Sequence, residues 1–276
     1  MKVTVLGCGG SHGVPLIGPD WGDCDPANPR NRRRRVSVLV EDGSTRILVD
    51  TSPDLREQLL AAEVRDLTGI VWTHHHADHM NGIDELRALN RCMNQPIHVY
   101  GNKRTLEHVQ HSFGYVFEPI PPGQIFYKPY LIPHEITGPF TIGAVRVTPF
   151  EQDHGYSKTL GFRFGRFAYS TDVKALDERA FEVLAGIEVW AVDCLREEPH
   201  ATHSHLEQTL AWIDRVKPRL AVLTHMNQTV DYAAWRAKLP RGVVPGYDGL
   251  EIECAPPAWV DRDPGGYYGR YMREDC

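Results

Sequence analysis

The 276-residue sequence contains no long hydrophobic run, and none of its apolar stretches approaches the ~18 to 20 residues that a membrane-spanning helix needs. Its first residues, 1–7, lead directly into a strand-like segment, without the basic start, apolar core and small-residue cleavage site of a signal peptide. We therefore expect a cytoplasmic protein that has no membrane partner.

Cysteine is scarce, and its spacing matches no pairing motif. The six cysteines are scattered along the chain, and no Cys-x-x-Cys sequence occurs. In a chain without an export signal, this distribution indicates reduced, mostly buried thiols and does not support a disulfide framework.

Positive charge is not in excess either, because the chain has 30 Lys and Arg residues but 36 Asp and Glu residues, for a net charge of −6. A surface that coats nucleic acid is therefore not expected.

What the sequence does contain is a coarse pattern of short strands followed by a helix, which occurs twice. The composition, with 42% hydrophobic and 24% charged residues, is that of a folded globular chain. Valines alternate in the strand-like segment 35–40, and leucines recur at helical spacing over 204–217. Helices are also predicted over 53–64, 82–91 and 232–238. Two sets of strands with helices outside predict one α/β domain of four layers, built from two similar halves.

Two segments do not follow this pattern. Residues 103–140 begin like a helix and continue as a stretch rich in proline and aromatic residues. A segment of this kind is an insertion that walls the active site, a contact in a homodimer, or an ordinary surface loop, and these interpretations stay open. We assign residues 1–254 to one domain and expect 255–276 to be a peripheral tail.

The strongest signal is a cluster of histidines directly after a predicted strand. Residues 73–79 have the sequence THHHADH, in which His74 and His76 point the same way if the chain is extended. The chain then turns into a helix, which directs Asp78 and His79 toward a second position. Imidazole nitrogens and carboxylate oxygens are suitable ligands for zinc, manganese and iron. Four such ligands within six residues predict a pair of metal ions and not a solvated loop.

This cluster needs distant partners, and the sequence provides them where predicted strands end. His154, Asp172 and His225 each follow a short apolar strand. Together with the first cluster they provide three groups for one ion, three for the other and one carboxylate to bridge them. Asp50 also ends a strand, and we expect it to orient one of the ligand histidines.

The combined set of residues resembles the ligands of the metallo-β-lactamase superfamily, over residues 1–254. More narrowly, the segments 7–15 (GCGGSHGVP) and 246–252 (GYDGLEI) are similar to those of the phosphodiesterases of the bacterial phosphonate pathway. The resemblance implies an αβ/βα sandwich with the metals at one edge of its two sheets. It also implies the ligand assignment: one metal is held by His74, His76 and His154, the other by Asp78, His79 and His225, and Asp172 bridges the two.

One departure from that narrower family concerns a separate structural zinc. The family holds this zinc with a cysteine cluster soon after the Gly-Val-Pro loop, whereas the corresponding segment here, 21–26, keeps only Cys24. One thiolate cannot close a four-ligand site. We therefore expect no structural zinc in this chain.

The resemblance also implies a general acid, which matches His203. The competing interpretation is that His203 and Ser204 begin and cap the helix predicted over 204–217, and His200 and His205 are alternatives for the acid. We assign catalysis to His203 and Asp78. The expected reaction is two-metal hydrolysis of a phosphodiester in a small cyclic phosphate or nucleotide, with His203 protonating the departing alkoxide.

Substrate contacts are expected from His12 in the glycine loop and from Arg35 at the end of the arginine run 30–35. Arginine binds phosphate with two parallel hydrogen bonds, which favours a phosphate-binding edge, but a solvated strand entrance explains the run equally well. The expected cofactors are two divalent ions, zinc or manganese, with iron left open.

Three alternatives remain for the function. A tRNA 3′-processing endonuclease would need a basic arm for extended nucleic acid, which a net charge of −6 does not favour. A mononuclear iron dioxygenase on the same scaffold is a second alternative. The third is a non-catalytic module like one in quinone-cofactor synthesis, which the intact set of ligands disfavours.

Overall fold

Seven strands form the first sheet of the computed structural model, which describes residues 1–254. Their bounds are β1 (Lys2–Gly7), β2 (Ser37–Asp42), β3 (Thr45–Val49), β4 (Gly69–Val71), β5 (Ile97–Gly101), β6 (Leu131–Glu135) and β14 (Glu251–Glu253). Their spatial order is β14-β1-β2-β3-β4-β5-β6. The strands from β14 to β3 pair antiparallel, and those from β3 to β6 pair parallel.

The second sheet repeats this plan. Its strands are β7 (Phe140–Ile142), β8 (Val145–Asp153), β9 (Lys158–Phe164), β10 (Phe167–Ser170), β11 (Val189–Asp193), β12 (Leu220–Thr224) and β13 (Val243–Pro245). They follow the order β13-β12-β11-β10-β9-β8-β7, antiparallel from β7 to β10 and parallel from β10 to β13. The prediction of two similar halves is therefore confirmed.

Strict alternation along the first sheet explains why it is covered on both faces. Val38 and Val40 of β2 belong to the core between the sheets, whereas Leu39 belongs to a second core. This second core also includes residues from α1 (Leu55–Ala61), α3 (Leu86–Met93) and α4 (Lys103–Phe113). Because successive side chains of a strand point to opposite faces, one run of apolar residues serves both cores.

Helices also cover the second sheet, which completes the four layers. They are α5 (Glu178–Leu184), α6 (Leu206–Val216) and α7 (Tyr232–Lys238). Each packs on the core through a buried side chain, namely Leu184, Ile213 and Trp235. The expected αβ/βα sandwich is confirmed. None of the helices in residues 1–254 combines the length and apolar character that crossing a membrane requires.

Three predicted helices differ in their bounds from the observed ones, for local reasons. The helix predicted over 53–64 is α1, and left-handed backbone at Glu63 (φ 52°) follows its last turn. The one predicted over 82–91 is a 3-10 turn, Ile83–Glu85, followed by α3. The one predicted over 204–217 is α6, which begins only at Leu206 because His205 is extended.

The segment 103–140 contributes regular structure at both of its ends. It contains α4, a 3-10 turn at Gly114–Phe117, β6 at the edge of the first sheet and the start of β7. Residues 118–130 lie in neither helix nor strand. Its role as a wall or a dimer contact stays a prediction, and the tail predicted over 255–276 lies outside the described residues.

Candidate metal centre

The candidate site residues lie where strands of both sheets end. The strands β4, β10, β11 and β12 run in parallel groups, and β8 shares the direction of β10 because both pair antiparallel with β9. The short helix α2 (Ala77–Met80) follows β4 and carries Asp78 and His79. Ligand sites in α/β folds lie beyond the carboxyl ends of strands. This topology collects side chains that are far apart in the sequence.

Three clusters of metal-ligand type form at this edge; two of them share Asp172, and the third consists of Asp193, His203 and His225. Within each cluster, one ligand atom from every residue lies within 4.8 Å of the others. The first contains His74, His76, His154 and Asp172, and the second contains Asp78, His79, Asp172 and His225. The structure thus brings together all seven residues that the sequence indicates as ligands.

Asp172 connects the two clusters through its two carboxylate oxygens. Oδ1 lies 3.7 Å from Nε2 of His74 and 3.6 Å from Nε2 of His154. Oδ2 lies 3.1 Å from Nε2 of His79 and 3.4 Å from Nε2 of His225. One oxygen therefore faces each cluster, as a bridging carboxylate requires.

The donor atoms fit a pair of divalent ions. Tetrahedral nitrogen and oxygen ligands at ~2.0 to 2.1 Å from zinc lie roughly 3.3 Å apart, close to the separations around Asp172. Moreover, Nε2 of His74, His79 and His225 and Oδ2 of Asp78 are buried and have no hydrogen-bond partner within the described chain. Buried polar atoms are rarely left unsatisfied, so these four atoms fit direct contact with a cation.

Asp50 orients two of the histidines. Nδ1 of His79 donates to Oδ2 of Asp50 at 2.7 Å. The hydroxyl of Thr73 donates to the same carboxylate at 2.8 Å and lies 3.0 Å from Nδ1 of His74. Nδ1 of His154 donates to the carbonyl of Thr202 at 2.8 Å. With Nδ1 occupied, each ring presents Nε2 to the cluster, which is how outer partners fix metal-binding imidazoles.

Burial and charge set the ionisation of the ligands. Burial lowers the pKa of His74 well below its usual value, which keeps the ring in the neutral form that binds metals. Burial also acts to lower the pKa of His225, but the carboxylates of Asp172 and Asp78 outweigh it and raise that pKa to about 9. A cation among these carboxylates would take the place of such protons, so metal binding releases protons here.

The backbone is strained at this site. Asp50, Asp172 and His225 have left-handed backbone, with φ of 64°, 52° and 57°. This region costs a residue with a Cβ on the order of 1 kcal/mol, and such residues concentrate at functional sites. Asp50 and His225 directly follow β3 and β12, and Asp172 is the second residue after β10. The left-handed turn at each position lies at the sheet edge where the ligand side chains meet.

His203 lies beside both clusters and is held by a carboxylate. Its Nδ1 donates to Oδ2 of Asp193 at 2.9 Å, and its ring stacks on that of His225 with 4.4 Å between centroids. The ring also meets that of His154 edge-on at 4.8 Å. Because α6 begins after His205, the interpretation of His203 as a helix cap is wrong.

The family of the chain follows from this arrangement together with a family comparison. Residues 45–226 match the model of the β-lactamase superfamily domain. The matched segment contains all seven ligand residues and His203. The chain belongs to the metallo-β-lactamase superfamily. Membership and the two ligand clusters support a metal-dependent hydrolase.

Three relatives of this superfamily member are informative. The structure of a diphosphatase from the PhnP family is 32% identical, with a TM-score of 0.84, over 92% of this chain and 98% of that one. An octanoyltransferase of Porphyromonas gingivalis is 31% identical over all of this chain but 56% of its own length. A ribonuclease Z of a Bradyrhizobium species is 30% identical over 49% of this chain and 46% of its own. The chain thus spans about half the length of the curated relatives that it matches.

His12 and Arg35 lie outside the two ligand clusters of this metallo-β-lactamase fold. Both line a separate cleft of about 820 Å³ next to the glycine loop, where Nε of Arg35 lies 2.9 Å from Oδ2 of Asp54. Their contact with substrate stays a prediction.

The acidic residue of the second glycine motif, Asp248, accepts hydrogen bonds from the backbone N–H groups of Cys8 and Arg34. The segment 246–252 therefore holds the backbone of the segment 7–15 in place at Cys8.

Cys24 is buried beside a guanidinium group. Nη1 of Arg33 lies 3.8 Å from its Sγ, and Sγ donates to the carbonyl of Val230 at 3.3 Å. The same guanidinium donates to the carbonyls of Val230 and Asn227 at 2.6 and 3.3 Å. A cation of the chain itself thus joins the N-terminal loop to segment 227–230.

Sequence reasoning missed Asp193, the partner of His203. The signal was available, since Asp193 ends β11 at the same sheet edge, just as Asp50 follows β3. Nothing local in the sequence joins it to His203, however, because ten residues separate the two.

Proposed function

We propose that this protein is a two-metal phosphodiesterase that acts on a small cyclic phosphate or nucleotide. The observation that carries the proposal is the division of the Asp172 oxygens between two ligand clusters, at 3.1 to 3.7 Å from four imidazole nitrogens. The similarity to a diphosphatase and to a ribonuclease Z, both named for cleavage of phosphate linkages, supports it.

The ligand residues have a defined task in this reaction. A pair of divalent ions, held as assigned above, would supply Lewis-acid polarisation of the phosphate and activation of water. The chain fixes the positions of its donor atoms beforehand through Asp50, Thr73 and the carbonyl of Thr202. Because these contacts hold the rings of His74, His79 and His154, little reorganisation of these three ligands is needed as charge develops on phosphorus.

His203 is placed to deliver a proton to the leaving oxygen. Nδ1 of His203 is bound to Asp193, which leaves Nε2 without a hydrogen bond to any residue in 1–254, and the ring contacts His225 and His154. Asp193 is fully buried and also accepts from the backbone N–H of Val173 at 2.9 Å. It acts as a positioning residue that stabilises the protonated ring, as carboxylates do for catalytic histidines.

The proposal is tested with the zinc- or manganese-loaded protein on three substrates. These are bis(p-nitrophenyl) phosphate, a 2′,3′-cyclic nucleotide and a cyclic ribosyl phosphate. Turnover of at least one is expected, and no turnover of any would refute the proposal. His203→Ala should slow cleavage of the ribose esters about 10²- to 10⁴-fold, because an alkoxide needs the proton. Loss on bis(p-nitrophenyl) phosphate should be much smaller, since p-nitrophenolate departs without it.

His205→Ala is the matched control, since it removes the same ring two residues away. Its rates should stay near those of the unchanged protein on all three substrates. Equal losses for His203→Ala on both substrate types, with the metals retained, would remove His203 from proton transfer. Asp193→Asn should show the same dependence on the leaving group as His203→Ala, which a purely structural role would not produce.

Hydrolysis of a diphosphate linkage is a second candidate, favoured by the 32% identity to a diphosphatase over almost its full length. Phosphate is a better leaving group than an alkoxide, so His203→Ala should affect this reaction less. The octanoyl transfer named for the longer relative is not proposed, because over two fifths of that protein lies outside the match.

A further inference from the structure

The turn between β8 and β9 carries a metal ligand and an exposed tyrosine. His154 begins this turn, 154–157, and Tyr156 follows two residues later. The N–H of His154 donates to the carbonyl of Ser157 at 2.9 Å, and the N–H of Tyr156 donates to the carbonyl of His154 at 3.1 Å. Two residues span at most ~7 Å. The tight turn therefore holds Tyr156 within a small molecule's length of the metal centre.

This turn lies against the residues that precede His203. Gly155 has left-handed backbone, with φ of 78°, and a Cβ there would lie 3.0 Å from both the carbonyl oxygen of Ala201 and Cγ2 of Thr202. The ring of His154 is bound to the carbonyl of Thr202 as well. Tyr156 therefore lies on the side of the metal centre where His203 is placed. We call residues 154–157 and 200–203 the rim.

A second ring on this rim is fixed in place. The ring of His200 lies 5.3 Å from that of His203 between centroids. Its Nδ1 accepts from the N–H of Thr202 at 3.3 Å, and its backbone carbonyl accepts from Nζ of Lys174 at 2.6 Å. Aromatic faces thus line the rim next to the proposed acid, which suits a flat ligand.

The side chain of Tyr156 has no structural task in the part of the chain that the structure describes. It is 90% exposed, and its ring and hydroxyl contact no other ring and form no hydrogen bond within residues 1–254. Tyr115, by contrast, is 38% exposed and donates its hydroxyl to Asp84 at 2.6 Å. A large ring left in water gains free energy when a ligand covers it. Tyr156 is therefore available to a ligand at the rim.

We propose that Tyr156 stacks on the base of a nucleotide substrate and makes the enzyme prefer nucleotides to ribosyl phosphates without a base. The inference rests on the proposed function and narrows its substrate class. A phenol ring is uncharged and presents two π faces, so it recognises a flat ring and not a phosphate. The base is that ring in a nucleotide, and stacking of this kind tolerates any base.

The test measures binding and does not depend on turnover. Adenosine 5′-monophosphate and ribose 5-phosphate, which differ only in the base, are titrated calorimetrically into the metal-loaded protein. The nucleotide should bind about 5- to 150-fold more tightly, the range that one stacked base provides. Tyr156→Ala should bring the two affinities together, whereas Tyr156→Phe keeps the ring and should keep the preference. Tyr127→Ala, which removes an exposed tyrosine from segment 118–130, should also keep it.

Turnover provides a second readout. Tyr156→Ala should raise KM for a 2′,3′-cyclic nucleotide with little change in kcat, because stacking on a remote base stabilises substrate and transition state alike. A fall in kcat at unchanged KM would instead place Tyr156 in the chemical step and overturn the inference.

Three further outcomes would overturn the inference. The first is equal affinity of the unchanged protein for the two ligands, and the second is a Tyr156→Ala variant that weakens both equally. The third is loss of the preference in Tyr156→Phe, which would assign recognition to the hydroxyl and not to stacking. If the preference is found but none of the phosphodiesters is cleaved, the stacking site stands and the proposed function fails.

Discussion

At the scale of single residues, Asp172 unites the metal centre. It is buried, it has left-handed backbone at φ 52°, and each of its oxygens lies near two imidazole nitrogens. Its carboxylate would be costly to bury in this way without cations, since unpaired buried charge is strongly unfavourable. The position therefore makes structural sense as a shared metal ligand.

Asp172→Asn should reduce the metal content from about two ions per chain to one or fewer. The amide keeps the size of the side chain and tolerates left-handed backbone, but it lacks the negative charge that both clusters share. Metal content is measured by mass spectrometry after dialysis. Asp214→Asn, on the exposed side of α6, should keep both ions, and an Asp172→Asn protein that also kept both would show that no bridge exists.

The sequence was sufficient to indicate which residues meet at the sheet edge, because each of them follows a strand. The histidine cluster and the strand-terminal His154, Asp172 and His225 share this local signal. The pairs of Arg34 with Asp248 and of Arg35 with Asp54 had no such signal, because 214 and 19 residues separate the partners. Only the folded sheet edge brings them together.

At the scale of elements, the N-terminal loop is held by contacts rather than by regular structure. Between β1 and β2, the chain forms only a 3-10 turn, Pro29–Asn31, and isolated bridges. Arg33 attaches this loop to segment 227–230, which follows the ligand His225. The glycine loop is therefore connected to the segment after His225 in two ways, by the backbone bridge between Gly9 and Met226 and by the buried guanidinium of Arg33.

Arg33→Met should destabilise the protein by about 3 kcal/mol, because methionine matches the length but leaves several buried acceptors unsatisfied. Urea unfolding measures the change. Cys24→Ser is the contrasting variant, since its thiol makes only weak contacts, and it should cost ~1 kcal/mol or less with unchanged metal content. Loss of one zinc in Cys24→Ser would show that this loop does hold a structural metal.

At the scale of the whole molecule, the four layers could be predicted from the sequence, but the short strands at the edges of the two sheets could not. Alternation at Val38 and Val40 and the helical spacing over 204–217 indicate which faces are buried, and this is sufficient for two sheets between helices. The short strands β7, β13 and β14 have three residues each. Such segments are defined by their neighbours in the sheet, so periodicity in the sequence could not identify them.

Removal of the metals should lower the thermal stability of the whole molecule. The candidate ligands in segment 74–79 follow a strand of the first sheet, and His154, Asp172 and His225 follow strands of the second, so bound ions would join the two sheets. An ion present at a hundredfold excess over its Kd stabilises the folded state by ~2.7 kcal/mol. For a domain of this size that corresponds to roughly 5 to 10 °C in Tm for each ion removed. Calorimetry with and without chelator measures the shift, and Asp172→Asn should show a smaller one. An unchanged Tm after verified removal of both ions would mean that the core between the sheets is sufficient to join them.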